Sequence, residues 1–319
     1  MRSSVPTETM PLASGASLGH CLVTALYGKR GRGRCAGVTT SVVLALSALC
    51  PPTLHGQGAT PVNRVIVRLQ QGRPAIGTFS RSPDDHLDFT VIDAQYGEFD
   101  IEAIRQVLSR MRPADEPPAV APIVRIPVAV RHAPRDVVTQ LLDLGAFGVM
   151  FPDIETPEQA MNAIGAMRYA SAPLGGNERP ATGGQRGTGS GTAPGYWGVA
   201  EDEYRARADV WPLNPSGQLV AVLQIESLAG IERLDEILDV PGIGALFLGP
   251  TDLAASIGAD GPDAPEVEAL VQRVLSGCLA RNVPCGYPIV ARTPDEADRE
   301  TTRRLREGFR MLAVMTTAQ

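Results

Sequence analysis

From residue 62 onward, short apolar runs alternate with amphipathic segments, and this alternation limits the possible folds more than any other feature. A β-strand buried on both faces reads as a continuous apolar run, whereas a surface helix repeats apolar residues every three or four positions. Apolar runs joined by helical segments predict a parallel sheet covered by helices. The predicted strands are residues 75–80, 89–94, 122–127, 148–153, 219–226, 245–250, 284–289 and 311–316.

The number of these strands favours one architecture. Eight strand–helix units within roughly 255 residues predict a (β/α)8 TIM barrel, a fold of about 250 residues. A doubly wound open sheet is the alternative. Thr156 and Pro157 have the residue types of a helix start, and Gly145 has that of a helix end. The predicted helices are residues 62–71, 101–111, 136–145, 156–169 and 264–281.

One long segment interrupts the alternation. Residues 170–217 are rich in Gly, Pro, Ser and Thr, and an irregular segment of this length in a compact domain is usually functional or disordered. Because it follows the fourth strand, we expect it to lie over the C-terminal ends of the strands as a lid. Residues 59–319 are otherwise predicted to form a single barrel domain.

The first 58 residues have the composition of a targeting signal rather than of a fold. A basic block at residues 29–34 precedes an apolar run at residues 35–50, which is followed by prolines and small residues. This order is typical of a signal peptide, and an apolar run of about 15 residues is too short for a stable membrane span. We therefore expect an exported protein, periplasmic or secreted. The alternatives are a disordered N-terminus and a cytoplasmic protein.

Charge and residue usage exclude several classes of function. The net charge is −6, with +4 on residues 1–58 and −10 on the remainder, so no basic surface for nucleic acid is expected. Lys29 is the only lysine, and the predicted barrel therefore lacks the amine that Schiff-base chemistry requires. Cys278 and Cys285 are the only cysteines after residue 58, which gives no pattern for a disulfide framework or a cysteine metal site.

Polar residues follow several predicted strands. Glu226 ends the fifth strand, and Asp252 follows the sixth. In a parallel sheet both carboxylates lie at the C-terminal edge, where α/β folds build sites, and two such oxygen ligands suit Mg2+ or Mn2+. The alternative is that both acids only cap the following helices. Together with an arginine and a strand-to-helix turn, the acids could bind a 2-oxo acid. The other residues of this set are Asp93, Gln95, Tyr96, Arg125, Gln224 and the turn at residues 249–252.

Several motifs occur in a recognisable order between residues 63 and 316. They are GRPAIGTF, IDAQYGEFD, PIVRIP, LLDLGAFGVMFPDIETPEQA, QRG at residues 185–187, LQIES and FLGPTDLAASIG. By these motifs the chain resembles the HpcH/HpaI aldolase/citrate lyase family. That family includes metal-dependent (class II) pyruvate aldolases such as 4-hydroxy-2-oxoheptanedioate and 2-dehydro-3-deoxyglucarate aldolases. The resemblance implies a barrel of the phosphoenolpyruvate/pyruvate-binding type, a divalent cation (Mg2+, Mn2+ or Co2+), a 2-oxo acid and an aldehyde as substrates, and a homo-oligomer.

The resemblance also assigns roles to individual residues. Glu226 and Asp252 would be the metal ligands, and Gln224 would lie beside the bound 2-oxo acid. Arg125 would stabilise the enolate. The backbone amides of Thr251 and Asp252 would hold the substrate carboxylate.

One motif departs from the family pattern. Family aldolases typically have Asp-x-Glu-His after the second strand, with the histidine as the acid/base partner of the aspartate, whereas this chain has Asp93-Ala94-Gln95-Tyr96. A phenol with a pKa near 10 is a poorer base at neutral pH than imidazole. Asp93, with Tyr96 or a metal-bound water, is therefore expected to move the proton. Tyr96 is expected to act as an acid or a hydrogen-bond donor, with simple packing at the barrel mouth as the alternative.

The predicted function is a carbon–carbon lyase that cleaves a 4-hydroxy-2-oxo acid into pyruvate, or a related 2-oxo acid, and an aldehyde. Aldehyde preference is expected to depend on Phe79, Ile289 and the segment at residues 170–217. One alternative retains the metal-stabilised enolate but decarboxylates a 2-oxo acid or cleaves a CoA thioester. Another is a non-catalytic exported barrel that binds a 2-oxo acid, which the loss of the histidine motivates.

Overall fold

The computed structural model describes residues 62–82, 84–96, 99–112, 118–170 and 183–317. Nine parallel strands in these ranges form one sheet, in which β4 also pairs with β6 and so closes eight strands into a barrel. β5 pairs only with the first two residues of β6. The strands are β1 (Ala75–Phe79), β2 (Phe89–Asp93), β3 (Ala121–Arg125), β4 (Gly148–Phe151), β5 (Val210–Trp211), β6 (Leu219–Ile225), β7 (Ala245–Leu248), β8 (Cys285–Ala291) and β9 (Met311–Thr316).

Helices return the chain from one strand to the next around the barrel, and most of them bury an apolar face. In α2, for example, the residues at positions 104, 107, 108 and 111 are buried, which is the spacing of one helix face. The α-helices of the described residues are α1 (Arg64–Gln70), α2 (Ile101–Met111), α3 (Arg135–Leu144), α4 (Pro157–Met167), α5 (Ala193–Trp197), α6 (Glu201–Arg207), α7 (Leu228–Glu232), α8 (Leu234–Leu238), α9 (Pro250–Ile257), α10 (Pro265–Ala280) and α11 (Pro294–Glu307).

The predicted barrel is confirmed. All eight predicted strands are present, and the pairing of β4 with β6 excludes the open sheet. The predicted helix boundaries also hold at the tested positions. Thr156 and Gln159 form a capping box at the start of α4, with Pro157 at its first position. Gly145 ends α3 in the left-handed conformation, with φ = 108°.

The prediction that residues 170–217 form a lid is wrong for the part of this segment that the structure describes. Residues 183–217 lie at the N-terminal ends of the strands: the Trp197 indole N–H donates to the Gly145 carbonyl at 3.0 Å, and β5 pairs with the start of β6. The reason is that α4 has already carried the chain back from the C-terminal end of β4. Parts of this segment are also regular, as α5, α6 and β5. Residues 171–182 lie outside the described residues.

Residues 1–58, for which the sequence predicts a targeting signal, lie outside the described residues as well. Within the ranges that are described, no helix combines the length and the apolar character needed to cross a bilayer.

A buried ion pair fixes the segment between α4 and β6. Arg168, which follows α4, pairs with Asp209 through two contacts: Nε to Oδ1 at 2.7 Å and Nη2 to Oδ2 at 3.2 Å. Both side chains are almost fully buried. Asp209 also accepts from the Val210 amide at 2.8 Å and from the Asn214 side chain at 3.2 Å.

We expect Asp209→Ala to lower the free energy of unfolding by about 3–5 kcal/mol, because it removes one partner of a buried charged pair. Urea unfolding measures this change. The control is Glu102→Gln on α2, which breaks the exposed pair with Arg105 and should cost no more than about 1 kcal/mol. Equal losses of unfolding free energy in the two variants would contradict this expectation, because the buried Arg168–Asp209 pair would then stabilise the fold no more than an exposed pair.

Candidate active site

The barrel brings the predicted site residues together at its C-terminal end. Asp93 is the last residue of β2 and Arg125 the last of β3, and the two are opposite each other in the register. Glu226 directly follows β6, whereas Asp252 lies in the first turn of α9, which directly follows β7. Parallel strands thus place four charged side chains from distant parts of the sequence at one edge.

Arg125 is held by a carboxylate and two aromatic rings. Its Nε donates to Asp93 Oδ1 at 2.8 Å, and its Nη2 donates to Asp93 Oδ2 at 2.7 Å. The guanidinium carbon lies 4.9 Å from the centre of the Phe79 ring and 5.1 Å from that of Tyr96. The residue is only 8% exposed. Asp93 takes two of the five N–H donors of this fixed guanidinium, so the arginine has capacity left for a second anion.

The Glu226 carboxylate is buried, with 4% of the residue exposed. Its Oε1 accepts from the Asp153 backbone N–H at 2.9 Å, and its Oε2 accepts from Gln224 Nε2 at 3.1 Å. Burial, and next the negative charge of Asp252, raise the pKa of Glu226 to about 7, although Arg125 acts in the opposite direction. A buried carboxylate whose charge is disfavoured by a second carboxylate nearby is a suitable place for a cation.

The turn into α9 places backbone amides beside this pair. A Cβ atom added at Gly249 would lie 2.2 Å from Glu226 Oε2, so only glycine leaves room for the carboxylate. Gly249 precedes the helix and has no side chain to cap it, and Pro250 occupies the first helical position. The amides of Thr251 and Asp252 therefore belong to an uncapped helix start, which favours an anionic group.

Tyr96 lies at the mouth, where 61% of it is exposed. Its hydroxyl donates to Asp252 Oδ2 at 3.2 Å. Partial burial of the hydroxyl group and the charge of Asp252 raise the pKa of Tyr96, so the phenol stays protonated at neutral pH. The geometry agrees with a hydrogen-bond donor and not with a base, and the catalytic role of Tyr96 stays a prediction.

A polar network next to Glu226 was not assigned any role from the sequence. Arg131 forms ion pairs with Asp153 and with Glu155, the latter at 3.5 Å. Ser227 Oγ donates to Glu155 Oε1 at 2.9 Å. Asp153 and Glu155 follow the fourth apolar run, as Glu226 ends the fifth, and the same strand-end criterion could have identified them.

The donor set fits a divalent cation only as a partial shell. In the described part of the chain, no group of three or more His, Cys, Asp or Glu side chains could hold a metal. Mg2+, however, is commonly held by one or two carboxylates together with water and substrate oxygens, and Glu226 and Asp252 could supply these two. Gln224 Oε1 is buried without a hydrogen-bond partner among the described residues. This acceptor oxygen, next to Glu226, could therefore contact a cation or a hydrogen-bond donor.

Comparison with known proteins adds independent evidence. The family model of the HpcH/HpaI aldolase/citrate lyase family matches residues 87–314. The 2-keto-3-deoxy-L-rhamnonate aldolase of Escherichia coli O9:H4 (strain HS) is 30% identical over 241 residues, which are 72% of this chain and 79% of that protein. The protein of the same name from Salmonella paratyphi B is 31% identical over 224 residues, or 67% of this chain and 72% of that protein.

Solved structures agree with this match. The crystal structure of an HpcH/HpaI aldolase/citrate lyase family protein from Burkholderia cenocepacia J2315 is 28% identical and superimposes with a TM-score of 0.61, covering 80% of this chain and 93% of that one. An HpcH/HpaI aldolase structure from Desulfitobacterium hafniense DCB-2 has a TM-score of 0.61 at 22% identity, with coverage of 79% and 89%, and shows the shared fold. The chain therefore belongs to the HpcH/HpaI aldolase/citrate lyase family, and as a member it is an enzyme of the aldehyde-lyase type.

Proposed function

We propose that this enzyme is a divalent-metal-dependent aldolase that cleaves a 4-hydroxy-2-oxo acid into pyruvate, or a related 2-oxo acid, and an aldehyde. The observation that carries the proposal is the convergence of Arg125, Glu226 and Asp252. The charges of Arg125 and Asp252 both act on the Glu226 carboxylate. A site with an arginine on one side and paired carboxylates on the other suits an enolate and a cation. The aldolase names of the curated relatives support a 2-oxo acid substrate.

The metal and the substrate carboxylate have separate binding groups. A divalent cation (Mg2+, Mn2+ or Co2+) held by Glu226 and Asp252 would supply Lewis-acid polarisation of the keto oxygen. The amides of Thr251 and Asp252 at the start of α9 would hold the substrate carboxylate. Gln224, whose amide oxygen has no hydrogen-bond partner among the described residues, would lie beside the bound 2-oxo acid.

Cleavage removes the C4 hydroxyl proton, for which the Asp93 carboxylate or a water would be the acceptor, breaks the C3–C4 bond, moves its electron pair into the C2–C3 enolate and converts C4 to the aldehyde. A proton is then added at C3 of the enolate to give the 2-oxo acid. Arg125 faces the developing enolate charge, and its bidentate contact with Asp93 keeps the guanidinium in place during the reaction. Tyr96 remains protonated and can donate to the C4 alkoxide oxygen. Phe79, which stacks under Arg125, would shape the side of the pocket that receives the aldehyde.

Lysine chemistry is not available in this barrel, because the only lysine of the sequence is Lys29. A Schiff base between an enzyme amine and the keto group would require a lysine near the site. The metal-dependent route is therefore the one that the residues of the barrel can support.

A second candidate function is binding of a 2-oxo acid without turnover. Tyr96 occupies the position where the family typically has a histidine, and its raised pKa prevents it from accepting a proton at neutral pH. Calorimetry with pyruvate and Mn2+, together with an aldol-cleavage assay, separates the two candidate functions: binding without cleavage favours the second.

We also propose that residues 1–58 direct export and that the chain assembles into a homo-oligomer.

The metal ligands can be tested directly. Glu226→Gln and Asp252→Asn each remove a charged oxygen ligand, so we expect Mn2+ affinity to fall more than about 100-fold, beyond the usual effect of outer-shell changes. Isothermal titration measures the affinity, and aldol cleavage should be lost in parallel. Glu236→Gln on α8 makes the same chemical change on the surface and should leave both unchanged. Full activity of either site variant would contradict the proposal.

The hydroxyl of Tyr96 can be tested by its removal. Tyr96→Phe should lower kcat about 10-fold to 100-fold at saturating Mn2+, because the alkoxide loses a hydrogen-bond donor. Tyr96→His should be more active than Tyr96→Phe, with kcat rising with pH through about 6.5 as the imidazole loses its proton. The control is Tyr196→Phe, since the Tyr196 hydroxyl is buried without a partner in the described residues and α5 lies at the opposite end of the barrel. An unchanged kcat in Tyr96→Phe would mean that Tyr96 only packs at the mouth.

A further inference from the structure

Asp153 has a backbone conformation that is uncommon for residues with a side chain. It follows β4 after a proline, and its φ of 54° lies in the left-handed region. Residues with a side chain reach this region at a cost, and the conformation persists where the surroundings hold it in place. A non-glycine residue in this conformation at the end of a barrel strand therefore requires an explanation.

The unusual backbone directs two successive amides onto β6. The Asp153 N–H donates to Glu226 Oε1 at 2.9 Å, and the Ile154 N–H donates to the Gln224 carbonyl at 2.9 Å. Gln224 Nε2 supplies the donor for the other carboxylate oxygen, Oε2. Each Glu226 oxygen thus receives one donor, which fixes the orientation of the carboxylate and leaves further lone pairs for a cation.

The side chain of Asp153 is engaged elsewhere. It forms an ion pair with Arg131, and Arg131 also contacts Glu155. Glu155 in turn accepts from Ser227, the residue after Glu226. The network therefore ties the turn after β4 to the turn after β6, next to the Glu226 carboxylate.

We infer that Asp153 is a positioning residue for Glu226: the left-handed conformation of its backbone holds its N–H against Oε1. The inference rests on the proposed function, because only there is Glu226 a metal ligand. The competing role for Asp153 is that of a third metal ligand through its own carboxylate. The positioning role requires a left-handed backbone at residue 153, whereas the ligand role requires a negatively charged side chain.

Three substitutions separate the two roles. Asp153→Gly and Asp153→Asn remove the charge but tolerate the left-handed conformation, so Mn2+ affinity should stay within about threefold of the wild type. Asp153→Val removes the charge and disfavours this conformation, so the affinity should fall about 10-fold to 100-fold, as for other losses of a partner to a metal ligand. Calorimetric titration with Mn2+ alone, without substrate, measures all three.

The chain offers a matched control for backbone strain. Among the residues that the structure describes, Asn282 is the one other non-glycine residue with positive φ, and its φ is also 54°. It lies between α10 and β8, at the opposite end of the barrel from Glu226. Asn282→Val should lower the thermal unfolding midpoint by an amount similar to Asp153→Val and leave Mn2+ affinity unchanged.

The outcomes decide the inference clearly. Equal loss of Mn2+ affinity in the Gly, Asn and Val variants would overturn it in favour of a ligand carboxylate, and no loss in Asp153→Val would show that the N–H is dispensable. Should Asp153→Val fail to fold, Asp153→Ala takes its place, with the same expected direction. A wild-type protein that binds no Mn2+ would instead contradict the proposed function itself.

Discussion

The pairing of β4 with β6 is the contact on which the rest of the structure depends. Four residue pairs from Gly148↔Val220 to Phe151↔Leu223 close the sheet into a barrel. The contact continues past the strand ends, where the Ile154 amide bonds to the Gln224 carbonyl and the Asp153 amide bonds to the Glu226 carboxylate. Closure of the barrel and orientation of Glu226 are thus parts of one hydrogen-bonded seam.

Closure also determines the electrostatics of the mouth. Closure confines Asp93, Glu226 and Asp252 to one rim. There Arg125 neutralises Asp93 and lowers the free-energy cost of ionising Glu226. The remaining negative charge lies between Glu226 and Asp252, and burial raises the pKa of Glu226 to about 7. A buried carboxylate is costly without a positive partner, and a divalent cation at this position would supply one.

The sequence predicts the barrel because most strands are apolar runs buried on both faces and most helices have one apolar face, and both patterns are local. The placement of Arg125, Glu226 and Asp252 also follows, since parallel strands end at the same rim. The long segment at residues 170–217 was misplaced for a topological reason: it follows α4, so its described part begins at the N-terminal rim, where Trp197 packs. Only the direction of the chain, not its composition, determines that position.

The positioning role of Asp153 could not be assigned from sequence for a different reason, although its place at a strand end marks it as a site residue. Its importance lies in a φ of 54° and an N–H direction, and neither leaves a pattern in residue types. The bidentate contact of Arg125 with Asp93 similarly depends on the register of β2 and β3, which apolar runs alone do not fix. Strand ends indicate which side chains gather at the rim, whereas their pairing is decided by register and by single backbone angles.

The central claim is that Arg125 and the Glu226–Asp252 pair act on one enolate. Exchange of the pyruvate C3 protons for deuterium, followed by NMR in D2O with Mg2+, tests this claim without any aldehyde. We expect the wild type to catalyse exchange only with the metal, and Arg125→Met to bind Mg2+ but exchange at least about 100-fold more slowly, as for loss of a group that stabilises an anion. Exchange that persists after removal of the metal, or that is unchanged in Arg125→Met, would contradict the claim.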